Sequence, residues 1–313
     1  MWMQKWMAEY VVPNKRQQTV ERYQGVIKKH ITPVLGRLEL SKVTPGDIRS
    51  FEAELSVRGM APARVKLVHA IISGAYKYAL KDDNRYAWRN PAKSVTPPKI
   101  VRKEVEPPEI ARVREVLALA ASEGHPLFPC LHLISYTGLW RGEALGLRYQ
   151  DLNLETRMIS IVQTVSRTHE KGIIIQPTKN GSSRRTVDLD DDTIEVLRAH
   201  IGRQMLTRME LEGSYEDHGL VFPGPLGKPL EPITLNRALK SFARRVGLEN
   251  AKIHHLRHFH ASVMLQKGGG SLLLVSKRLG HASIATTGDI YGHLLPGWQK
   301  EAANAFAKAM KEG

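Results

Sequence analysis

Residues 94–108, SVTPPKIVRKEVEPP, divide this 313-residue chain. Each of the four prolines fixes φ and removes a backbone donor, so neither a helix nor a central strand can run through the segment. Before it the patterns are helical throughout. After it, helical runs and short strand-like runs mix. A chain of this length has room for roughly two domains, and the break marks where they part. The expected fold is mainly α with a small antiparallel β-sheet. It comprises a helical domain over 1–95, a linker over 96–108, a mixed α+β domain over 109–298 and a tail helix over 299–313.

Helix boundaries are written into the first segment. QTVERYQGVIKKHITPVLG stops at Gly36, and TPGDIRSFEAELSVRGM sets Thr44 before Pro45 and ends at Gly59, the pattern of a polar cap, a proline at the first helical position and a terminating glycine. In APARVKLVHAIISGAYKYALKDD, Val65, Val68, Ile72, Ala75, Tyr76 and Ala79 share one buried face. The opposite face carries Lys66, Ala70, Ser73 and Lys77. Small side chains between lysines suit close approach to a phosphate backbone, so Lys66, Ser73 and Lys77 are candidate DNA contacts. In the second segment, helices are expected over 109–122 and 127–149. RMISIVQTV, GIIIQPT and RRTVDL then read as three short strands. In the tail, Ala303, Phe306, Ala307 and Met310 recur at helical spacing as one apolar stripe.

Charge narrows the partners. The chain has 46 Lys+Arg against 31 Asp+Glu, and a pI near 9.9. Residues 1–100 hold 18 basic and 8 acidic side chains, the remainder 28 and 23. Such a field favours a polyanion. No uncharged apolar run reaches membrane-spanning length, and the first residues lack the apolar core and cleavage site of a signal peptide. The single cysteine, Cys130, lies in the apolar run LFPCLHLISY. It is expected to be buried and inert, in a chain of the reducing cytoplasm.

Four elements are more polar than a plain core requires. KIHHLRHFHASVML (252–265) places His254, Arg257 and His258 on one helix face. RLGHASIATTGDIYGHLLP (278–296) holds His281 and Tyr291. QPTKNGSSRRTVDL (176–189) puts Lys179 in a turn, and YTGLWRGEALG holds Arg141 and Glu143 after a Thr-Gly break. Zinc ligation by His254 and His258 finds no support in a glutamate-bearing HExxH pattern or a second cysteine, so no metal is expected. Together the residues compose a phosphoryl-transfer site that needs no cofactor. A tyrosine oxygen attacks a phosphodiester, arginines hold the non-bridging oxygens, a lysine protonates the leaving alkoxide, and histidines move protons. A covalent phosphotyrosine conserves the bond energy.

The order and spacing of these boxes resemble the tyrosine recombinases of the phage integrase family, over roughly residues 8–298. HHLRHFHAS looks like that family's H-x-L-R-H box, RLGHASIATTGDIYGHLLP like its L-G-H…T-T…Y box, and PTKNGSSRRTVDL like its hairpin-lysine element. The resemblance implies Tyr291 as nucleophile, His254 and Arg257 as the second-box histidine and arginine, His281 as the third-box histidine, and Lys179 as general acid. It also implies that the helical first domain and the catalytic domain form a C-shaped clamp on double-stranded DNA. Copies would associate as a tetramer on DNA through the tail, and the small domain that binds accessory arm sites in many members would be missing.

One position departs. The family's first box reads T-G-x-R, two residues, then E. Thr137, Gly138, Leu139 and Glu143 fall in place, but Trp140 occupies the arginine position and Arg141 comes one residue late. One residue along a helix rotates a side chain by about 100°, so Arg141 is expected to point away from the phosphate. An indole offers one N–H and no charge. Either Arg141 reaches back from a rearranged turn or the site is impaired, and impairment is the favoured expectation. The leading reading is a site-specific integrase with catalysis in doubt. The rivals are an integrase-derived DNA-binding protein that does not cut, and a type IB topoisomerase-like enzyme.

Overall fold

The computed structural model describes residues 2–81, 87, 89–100, 107–179, 181–267, 270–294, 303, 304, 306–308, 310 and 311. The chain forms two compact units. One comprises Met1–Lys103 with Thr168–Glu170, and the other Glu104–Arg167 with Lys171–Gly313. Of the expected linker over 96–108, residues 101–106 lie outside the described residues, as do 295–298 at the end of the expected second domain and 299–302 at the start of the expected tail.

The first unit is helical. Helices α1 (Trp2–Trp6) and α2 (Val12–Asn14) flank a π-helical turn, and α3 (Gln17–Val26) passes through a second π-helical turn, Ile27–Ile31, into α4 (Thr32–Leu35). Helix α5 (Pro45–Val57) starts where the sequence predicts, on a reciprocal cap. Asp47 N donates to Thr44 Oγ1 at 3.2 Å, and Thr44 N donates to the Asp47 carboxylate at 2.8 Å. Helix α6 (Pro62–Ala79) buries Val65, Val68, Ile72, Ala75, Tyr76 and Ala79, in one core with Trp6, Val20, Ile31, Ile48 and Phe51. Gly74 leaves room for the Trp6 ring: a Cβ there would lie 3.2 Å from Cζ2.

The second unit combines helices with two small sheets. Helices α7 (Ile110–Ser122) and α8 (Phe128–Thr137) contribute to an apolar core that includes buried Cys130. The helix expected over 127–149 is broken. Gly138 adopts φ 68°, ψ 20°, closes α8, and sets Trp140 in extended geometry before the short α9 (Arg141–Leu145). The strands are β1 (Leu152–Asn153), β2 (Met158–Ile161), β3 (Gln163–Thr168), β4 (Gly172–Pro177) and β5 (Arg185–Asp188). RMISIVQTV is thus two strands rather than one. β2 joins an antiparallel sheet of order β1-β2-β5, while β3 pairs with β4. The switch falls at Val162, whose carbonyl accepts from Thr178 N at 3.0 Å. In the first sheet Ile159 faces Val187 across the ladder, and both are buried. Helices α10 (Asp191–Glu210), α11 (Pro232–Arg245), α12 (Ile253–Gln266), α13 (Leu272–Leu279) and α14 (Ile284–Tyr291) complete the unit. No helix among the described residues is long and apolar enough to cross a membrane.

Candidate active site

Helix α12 organises the site. Arg257 is only 1% exposed. Its two terminal nitrogens donate to backbone carbonyls, Nη1 to Gly138 at 2.7 Å and Nη2 to Leu279 at 2.8 Å. The guanidinium therefore ties α8's end to α13's end. Burial lowers its pKa to about 10, with Glu143 acting in the opposite sense. One turn earlier, His254 stacks on the indole of Trp140, with centroids 4.9 Å apart and planes 8° from parallel. The same indole covers Arg257, whose guanidinium carbon lies 4.3 Å from the ring centroid, a cation–π contact. Trp140 thus packs on both His254 and Arg257.

Tyr291 ends α14 and is also 1% exposed. Its hydroxyl sits 2.7 Å from His258 Nδ1. Burial raises the phenol pKa to about 12. Burial, together with the neighbouring His254, His255, Arg257 and His281, lowers that of His258 to about 4. Both groups are neutral near pH 7, and the phenol O–H donates to Nδ1 when the imidazole carries its proton on Nε2. His281 follows Gly280, which closes α13 in left-handed geometry. Its Nδ1 lies 2.8 Å from the buried Thr287 hydroxyl, and burial beside Arg257 and Arg185 lowers its pKa to about 4.

Beneath the cluster runs a buried ion pair that sequence reading misses. Arg185 on β5 grips Glu143 with both terminal nitrogens, at 3.0 and 2.8 Å, and its Nε donates to the Arg278 carbonyl at 2.7 Å. Glu143 also accepts from Trp140 N at 3.0 Å. The indole has no acceptor to return that bond, so α9's cap rests on the carboxylate alone. Residues 143 and 185 lie 42 apart in sequence, and nothing in either segment announces the pair. Arg278 in turn donates to His260 Nε2 at 3.1 Å.

The remaining expectations fare differently. Arg141 lines the same cleft of about 320 Å³ as Trp140, Asn236, Lys252, His254 and Arg257. Trp140 is an extended cap residue and Arg141 is the first helical one, so the rotation per helical residue does not apply between them. Burial lowers its pKa, with Glu231 opposing. Lys179 is exposed between β4 and β5, strands of different sheets rather than of one hairpin, and none of the described contacts joins it to the cluster. In the other unit, Lys66 and Lys77 are exposed on α6, while Ser73 is half-buried with its Oγ accepting from Asn90 at 3.1 Å. A depression there also presents Arg22, Lys29 and Arg64, cations the sequence pattern does not single out. Among the described residues no group of three or more His, Cys, Asp or Glu side chains could hold a metal ion.

Comparison with known proteins gives the family and the fold. The pattern of the phage integrase family matches residues 113–297, and that of the phage integrase N-terminal SAM-like domain matches residues 1–56. A tyrosine recombinase XerC-like protein of Caldanaerobacter subterraneus subsp. tengcongensis is 28% identical, over 97% of this chain and 80% of its own length. The ICEBs1 integrase of Bacillus subtilis is 23% identical, over 89% of this chain and 74% of its own. Among solved structures, the Tn1549 transposon integrase in complex with transposon right end DNA superposes with a TM-score of 0.74 at 16% identity, covering 93% of both chains. A lambda integrase dimer bound to a COC' core site gives 0.63 at 17% identity, covering 91% of this chain and 95% of that one. With its family pattern matched over residues 113–297, and the buried arginine and the tyrosine carried on α12 and α14, the chain belongs to the phage integrase family, the tyrosine recombinases.

Proposed function

We propose that this protein binds duplex DNA as a site-specific integrase of the cytoplasm, and that Trp140 slows its cleavage step. In this reading Tyr291 attacks the scissile phosphodiester. The Tyr291 Oη–P bond forms, the bond from phosphorus to the 5′ oxygen breaks, and a 3′-phosphotyrosine remains. His258, 2.7 Å from the phenol, takes its proton, and Lys179 gives one to the departing 5′ oxygen. Arg257, His254 and His281 face the phosphate. Duplex DNA is held by the cations of the first unit, including Lys66, Lys77, Arg22, Lys29 and Arg64. The exposed Phe306 and Met310 of the tail contact a second copy on the DNA.

The observation that carries the reading is the stack of Trp140 over Arg257. A tyrosine recombinase site needs cationic donors on the developing phosphorane, and here an indole fills one such position and covers another. Removing one preorganised donor costs ~10²–10³ in rate. The same stack favours a second reading, a protein that occupies its site without cutting. A nicked suicide substrate separates the two. Wild type is expected to give little covalent adduct, Trp140→Arg to raise it at least tenfold, and Trp140→Arg/Tyr291→Phe to give none. Efficient cleavage by wild type with no gain in Trp140→Arg refutes impairment. An absence of adduct from both proteins, with duplex binding intact, supports the non-cutting reading.

A further inference from the structure

Trp140 also brings a surface of its own. Its indole stays 45% exposed although His254 and Arg257 pack on it. Those two side chains come from one face of α12, three residues apart, and leave part of the ring uncovered. The rest lines the cleft of about 320 Å³ shared with Arg141, Asn236 and Lys252, a volume within the ~300–1,000 Å³ of small-ligand sites. The wall therefore combines a flat π surface, an amide that can both donate and accept, and two cations. A guanidinium clamp for a phosphate would have no use for the exposed ring.

We propose that this cleft binds an unstacked nucleobase with its flanking phosphate. The base lies against the exposed part of the Trp140 ring, the Asn236 amide meets its edge, and Arg141 and Lys252 take the phosphate. Bases inside an intact duplex are stacked on one another and cannot reach a ring set in a wall. The site therefore selects DNA carrying an unpaired nucleotide, whose base gains a stacking partner. The inference rests on the duplex-binding part of the proposed function and not on cleavage.

The test measures fluorescence anisotropy on three duplexes of one sequence: fully paired, with a single unpaired adenosine at the centre, and with an abasic residue at that point. Wild type is expected to bind the adenosine bulge ~5- to 100-fold more tightly than the other two, with quenching of tryptophan emission. In Trp140→Leu the ratio of bulged to paired affinity is expected to fall to about one, while Trp140→Phe retains part of it. The ratio is the readout, so a general change in affinity cancels. Equal affinity of wild type for all three duplexes, or for the adenosine and abasic bulges, overturns the inference and leaves duplex binding standing. A preference that survives in Trp140→Leu also overturns it. Should that variant not fold, the comparison of adenosine with abasic bulges on wild type decides alone. Failure to bind any of the three overturns both the inference and the proposed function.

Discussion

Gly138 shows how a single residue sets the site. Its positive φ turns the chain out of α8, and its carbonyl receives Arg257. A Cβ there would approach side-chain carbons of His260 and Leu279 to 2.7 Å. Gly138→Ala is therefore expected to destabilise the protein by about 1–3 kcal/mol, seen as a lower urea midpoint with unchanged slope. The Thr-Gly break, the Trp140 departure and the His254–Arg257–His258 face were all legible, because each depends on neighbours within one or two helical turns. The partnership of His258 with Tyr291 was not, since 33 residues separate them. The direction of Arg141 was not legible either, because Trp140 before it is an extended cap residue and the helical rotation does not reach back to it.

At the scale of elements, legibility followed the same divide between local and distant bonds. Thr44 and Asp47 cap α5 as their spacing implies, and Thr44→Ala is expected to cost ~1 kcal/mol in a urea titration. The strands were harder. No glycine or proline interrupts RMISIVQTV, and only the long-range pairing of β2 with β5 and of β3 with β4 divides it. The Glu143–Arg185 pair locks β5 to α9, with both side chains 7% exposed. Arg185→Met leaves a buried carboxylate without its charge partner, an expected loss of ~3–5 kcal/mol. Adding Glu143→Leu should recover part of that loss in the same denaturation assay. Additive losses would show that the pair is not the source.

For the whole molecule, charge and pH give the broadest tests. If the basic surplus holds phosphates, duplex affinity is expected to fall by about 10³–10⁵ between roughly 50 and 200 mM salt for 6–10 contacts. Lys66→Ala/Lys77→Ala should flatten that slope in the same anisotropy titration. Stability is expected to depend on pH through the buried histidines. In the folded protein His258 and His281 titrate at about 4 and His260 at about 3, chiefly through burial, against ~6.5 in an unfolded chain. Between those values the unfolded chain binds more protons, so stability rises with pH. It is complete above ~6.5 and is lost as pH falls toward 4 and then 3. Calorimetry should show a lower melting temperature at pH 5 than at pH 7.5, and a flat profile would contradict the burial of these rings. The two units part between residues 103 and 104, within the proline-rich segment 94–108, which cannot be hidden inside an element.

The burial of Tyr291 has a consequence for reagents as well as for DNA. A phenol that is 1% exposed and bonded to a ring nitrogen is out of reach of anything dissolved in the surrounding water. Tetranitromethane should nitrate Tyr10 and Tyr136, which are 37% and 38% exposed, and spare Tyr291. If DNA draws α14 outward, peptide mapping should find the nitro group on Tyr291 only when the site's DNA is present. Labelling then becomes a clock for how often Tyr291 leaves its shelter.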